Sequence, residues 1–88
     1  MKYNQETHTP IEFFKIRLRV DSGKVITRFV KQISACGYYE VTNDGNIVHD
    51  VSVGVVQKRL IIALPEDIIW KRPARINKHY GTLEVVEL

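Results

Sequence analysis

Phe14-Lys15-Ile16-Arg17-Leu18-Arg19-Val20, then Val25-Ile26-Thr27-Arg28-Phe29-Val30-Lys31-Gln32-Ile33-Ser34-Ala35-Cys36, is the stretch on which the fold turns. Its first half alternates apolar and basic residues without a break. A strand sends successive side chains to opposite faces, so Phe14, Ile16, Leu18 and Val20 share one side and Lys15, Arg17 and Arg19 the other. In the second half the apolar period changes to about 3.6. Val25, Ile26, Phe29, Val30, Ile33 and Cys36 fall on one helical stripe, with Lys24, Arg28 and Lys31 opposite. The spacing predicts a strand and a helix that bury their apolar sides against each other. Asp21 and Ser22 suit the amino-terminal cap of that helix, and Gly37 its left-handed close.

Working outward, Met1 to Pro10 is polar and lacks periodicity, which predicts a loose arm over 1–10 ahead of one domain over 11–88. Strand one runs from Ile11 to Val20. After the helix, Tyr38 to Thr42 reads as a second strand, rich in aromatic and β-branched residues. Asn43-Asp44-Gly45-Asn46 is the strongest turn signal in the chain. Ile47 to Val56 returns as a strand with a bulge or bend at Gly54, and Leu60 to Leu64 is a nearly continuous apolar strand. Whether Ile47 to Leu64 is one bent strand or a hairpin turning at Gln57-Lys58 is open from the sequence. Pro65-Glu66-Asp67 looks like the start of a short second helix that Pro73 stops. Ala74 to Tyr80 is a loop or one more helical turn, closed by Gly81, and Thr82 to Leu88 a last strand. The order β-α-β-β-(β)-α-β predicts a small α+β domain, antiparallel sheet below and helices on one face, compatible with a ferredoxin-like plan.

Size and composition narrow the function classes. At 88 residues the chain is one domain with a modest core. Its longest uncharged apolar run, Leu60 to Pro65, is far short of the ~20 residues a membrane span needs. No positively charged start leads into an apolar stretch, so no secretory signal is expected, and the single cysteine, Cys36, cannot form an internal disulfide. These features predict a cytoplasmic protein with no membrane partner. The candidate metal ligands Cys36, His8, His49 and His79 have no recurring metal spacing, so no metal or cofactor is expected. No nucleophile, base and oxyanion donor assemble into a catalytic set, and the reading is non-enzymatic.

Charge is more informative for its position than for its sum. The net charge is +3, yet Lys15, Arg17, Arg19, Lys24, Arg28 and Lys31 crowd together while no Lys or Arg occurs from Gln32 to Gln57. Basic residues return at Lys58 and Arg59 and again after Trp70. Trp70-Lys71-Arg72-Pro73-Ala74-Arg75-Ile76-Asn77-Lys78-His79-Tyr80 interleaves cations with aromatics, as phosphate contact with base stacking requires. The strand face of Lys15, Arg17 and Arg19 supplies further phosphate contacts, unless Glu84 or Glu40 pairs across with them. The expected function is a small binding module whose basic surface engages nucleic acid or a nucleoprotein. Its site would be Lys15, Arg17, Arg19, Trp70, Lys71, Arg72, Arg75, Lys78 and Tyr80. The alternative is a protein-interaction module, a compact inhibitor or adaptor docking an acidic surface, with Ile61 and one of Tyr38 and Tyr39 at its centre. Self-association as a homo-dimer is a third expectation, since the acidic middle complements the basic ends.

Overall fold

The computed structural model describes residues 11–86, so the expected arm over 1–10 lies outside the described residues. The elements are β1 (Phe13–Arg19), β2 (Val25–Gln32), β3 (Gly37–Glu40), β4 (His49–Ser52), β5 (Val55–Lys58), β6 (Leu60–Ile62), a 3-10 turn (Pro65–Asp67), β7 (Ile68–Ile76) and β8 (Leu83–Val85). One antiparallel sheet has the order β6-β3-β2-β1-β7-β8, and β4 with β5 forms a separate two-stranded ribbon.

The α+β and ferredoxin-like expectation is therefore overturned: among the described residues there is no α-helix. The stretch expected to be the main helix is strand β2, paired with β1 from Arg19↔Val25 to Phe13↔Lys31. The misleading signal has a physical source. β2 carries apolar residues on both faces, Ile26 and Val30 on one and Val25 and Phe29 on the other, so its pattern has no period of two. Valine, isoleucine and threonine, which dominate it, favour a strand because they lose rotamer freedom in a helix. Asp21 and Ser22 belong to the β1–β2 turn, where the Gly23 amide donates to Val20 O at 2.8 Å. Gly37 opens β3 instead of closing a helix, and Cys36, expected on a buried stripe, is half-buried in the β2–β3 turn.

The second expected helix shrinks to the 3-10 turn, and Pro73 lies inside β7. Proline is tolerated there because its carbonyl accepts from the Val86 amide at 2.8 Å. In an antiparallel strand a residue's N–H and C=O face the same neighbour, so the missing donor of Pro73 points past the end of β8 rather than at β1.

The same turn shows that the sheet is curled. In a flat sheet, Ile62 at the end of β6 and Ile68 at the start of β7 would stand four strand spacings apart, ~19 Å. The link between them contains a 3-10 turn and spans at most about 16 Å. The sheet rolls, and its concave face closes over Ile16, Leu18, Val30, Tyr38 and Ala63, all nearly inaccessible, with Phe14, Ile26, Ile61 and Ile68 around them. A smaller cluster of Val41, Ala74 and Leu83 with Phe13, Phe29, Ile47 and Ile76 sits on the other face, under the 41–47 loop.

The segment from Ile47 to Leu64 resolves into a hairpin that reverses at Val53-Gly54, neither a single bent strand nor a turn at Gln57-Lys58. It joins the sheet through backbone hydrogen bonds among Glu40, Val48 and Arg59, each 3.0 Å. Arg59 fixes the junction: its guanidinium donates to Asp50 and, at 3.1 Å, to Glu40 Oε2, whose other oxygen lies 3.5 Å from Arg28 Nε.

Candidate nucleic-acid interface

Residues directly opposite in neighbouring strands share a face, so the register sorts the basic residues. Lys15 stands opposite Arg72 on β7 and Phe29 on β2; Arg17 stands opposite Trp70 and Thr27; Arg19 stands opposite Val25. All lie on the convex face, away from the main core. Arg17, Arg19 and Arg72 are exposed, and Lys15 and Trp70 half-buried. Four cations thus occupy a patch ~14 Å long over two adjacent strands.

The patch is unneutralised from within the described residues. The ion pairs found there are Arg28–Glu40, Arg59–Glu40 and Arg59–Asp50. Glu40 therefore faces the concave rim and serves the hairpin junction. Glu84 stands opposite Arg75 and accepts from Asn77 Nδ2 at 3.1 Å. Neither carboxylate reaches Lys15, Arg17 or Arg19, although both are the acids nearest in sequence logic. Arg19 is at the patch edge, where Asp21 and Asp67 line a groove with it without coming within ion-pairing distance. Like charges placed opposite one another destabilise a sheet, and Lys15 and Arg72 are such a pair.

Aromatic rings accompany these cations. Arg72 Cζ is 5.3 Å from the Trp70 ring centre, and Lys15 Nζ 5.3 Å from that of Phe29. Beyond β2 the face continues through Lys31 and Tyr39, which are opposite each other, to Lys58, whose Nζ is 5.2 Å from the Tyr39 ring. Phe29 and Lys58 were not among the residues expected at the site. Their signal lay in the register, which no spacing within one strand reveals.

The remaining expected residues are dispersed. Lys71 is on the concave side, its Nζ 4.8 Å from the Phe14 ring and 3.3 Å from Gln32 Oε1. Arg75 shares that side, its Nε buried without a partner. Lys78 and Tyr80 are exposed in the β7–β8 turn, which Asn77 Oδ1 holds by accepting from the His79 and Tyr80 amides. Tyr38 and Ile61, opposite each other, face the core, whereas Tyr39 is on the convex face, so the residues of the protein-interface alternative do not form one surface. No group of three His, Cys, Asp or Glu side chains gathers to hold a metal ion among the described residues. No helix there is long and apolar enough to cross a membrane. No family model, no curated protein and no solved structure matches the chain.

Proposed function

We propose that the protein is a non-enzymatic binding module whose convex face engages nucleic acid, free or within a nucleoprotein. One observation carries the reading: Lys15 opposite Arg72 with Arg17 beside them, and no described carboxylate in ion-pair contact. A phosphate backbone supplies the missing negative charge at the spacing of a strand face, and helix or loop donors are not required for it. A cytoplasmic setting belongs to the same reading, since the only cysteine has no partner in the chain.

Salt tests it. Binding that displaces condensed counterions weakens linearly in log affinity against log salt, with a slope of about −0.7 to −0.9 per phosphate neutralised. Replacing Arg17 and Arg72 together with alanine should flatten that slope by about 1.4 to 1.8. Undetectable binding to mixed-sequence DNA and RNA at low salt would refute the proposal.

A second reading, a protein-interaction module, is favoured by the ribbon. Val51, Val53, Val55 and Val56 are exposed on it, and Leu60 and Ile62 continue the apolar run along β6. A bare two-stranded ribbon is marginal in water and gains from being covered. On this reading Val51→Asp with Val56→Asp abolishes capture of a partner and leaves the salt-dependent binding of oligonucleotides untouched.

A further inference from the structure

Resting on the nucleic-acid reading, the geometry points to a single strand, not a duplex, as the occupant of the convex face: we propose that unpaired bases stack there on Trp70 and Tyr39. Each of these rings has a cation beside it, Arg72 at 5.3 Å from the Trp70 ring centre and Lys58 at 5.2 Å from that of Tyr39. Trp70 stands on β7 and Tyr39 on β3, with the cations Lys15 and Arg17 of β1 between those strands and Lys58 reaching Tyr39 from the ribbon. That path runs across the strand direction and offers a ring and a charge at each end, with further charge between. An extended single strand requires this alternation, since each nucleotide presents one π face and one phosphate. Both rings are half-buried and so are held in place by their own packing.

A duplex finds little here. Its bases are already stacked, so the rings have nothing to receive. Reading its major groove takes a helix or a protruding ribbon bearing hydrogen-bonding side chains. The chain does have a protruding ribbon, but its end exposes four valines, Val51, Val53, Val55 and Val56, and no charged residue stands between them. The convex sheet itself meets a cylindrical duplex only along a narrow line of phosphates. Charge alone would then be read, and the aromatic half of the surface would stay idle.

Trp70 is the only tryptophan, so its fluorescence reports on the site without a label. The test titrates the whole chain with oligo-dT of roughly 12 nucleotides, inside the ~4–16 that a small sheet domain covers, and with a duplex of the same length. Quenching of Trp70 by oligo-dT is expected, with duplex binding at least about ten-fold weaker at the same salt. Trp70→Ala should weaken oligo-dT binding roughly 5- to 100-fold, followed by anisotropy of a labelled strand, and leave the salt slope unchanged because no cation is lost. Tyr39→Leu, on another strand, should weaken it in the same way and serves if the first variant does not fold. Equal affinity for the duplex, or indifference to both ring substitutions, would overturn the single-strand assignment while leaving a basic nucleic-acid face intact. Failure of both probes to bind at low salt would overturn the underlying reading and this one with it.

Discussion

At Gly45 the backbone takes φ +83°, and a Cβ there would lie 3.1 Å from Ile76 Cδ1 and 3.4 Å from Phe13 Cζ. The turn can close over the second apolar cluster only because that atom is missing. Gly45→Ala combines the left-handed penalty with the contact and should lower stability by about 1–2 kcal/mol, read as a shifted urea midpoint at constant slope. Val53 has no such excuse. It takes φ +46° at the ribbon turn, ahead of Gly54 at φ +77°, and is almost fully exposed at 99%. A β-branched residue is strained in that region, where asparagine is at ease. Val53→Asn should therefore gain about 1 kcal/mol locally, seen as slower amide exchange in β4 and β5. The turn at Asn43 to Asn46 was legible because Asp-Gly announces it. The turn at Val53-Gly54 was not, because valine there contradicts the chemistry of its own turn.

The ribbon is tied to the sheet by charge, which gives it a pH dependence. The Arg59 guanidinium, hydrogen-bonded to Asp50, holds that carboxyl below its ordinary range. Asp44 is likewise lowered, first by the Thr42 hydroxyl and then by a backbone amide. A carboxyl whose folded value lies below its unfolded value stabilises above the unfolded value and loses that contribution as pH falls through the folded one. The ribbon should hold at neutral pH and loosen below the ordinary aspartate range of about 3.9. Methyl shifts of Val51 and Val56 should report this loosening, and Asp50→Asn should remove most of its pH dependence. The misread helix belongs to this scale too. β1 was legible because it is greasy on one face only and its alternation survives in the sequence. In β2 both faces are used, Val30 inward and Phe29 under the 41–47 loop, and the strand pattern is erased. Pro73 compounded this, since the hydrogen-bond geometry that admits it to β7 depends on where β8 ends.

Across the whole molecule the charge distribution pits stability against binding. Placing Lys15 opposite Arg72 costs the free domain, and Lys15→Glu would convert a repulsive cross-strand pair into an attractive one. That variant should unfold at higher urea, by about 0.2–1 kcal/mol, and bind oligonucleotides more weakly. A purely structural role for Lys15 predicts no loss of binding. Part of the candidate site was legible from one strand, since Lys15, Arg17 and Arg19 must share a face whatever surrounds them. Adding Arg72 and Trp70 to that face, and sending Lys71 and Arg75 to the other, required the register of β7 against β1. No composition or motif carries that information. Exclusion of Glu40 and Glu84 from the patch likewise follows from three-dimensional pairing alone.

On the proposed reading, one convex face, made by β2, β1 and β7, receives the anionic partner. NMR of the uniformly labelled protein titrated with oligo-dT tests this most directly. Shifts concentrated at Lys15, Arg17, Thr27, Trp70 and Arg72, with Lys71, Arg75 and the core around Ile16 unmoved, are the predicted result. Shifts confined to the ribbon or the concave rim, or none at low salt, would contradict it.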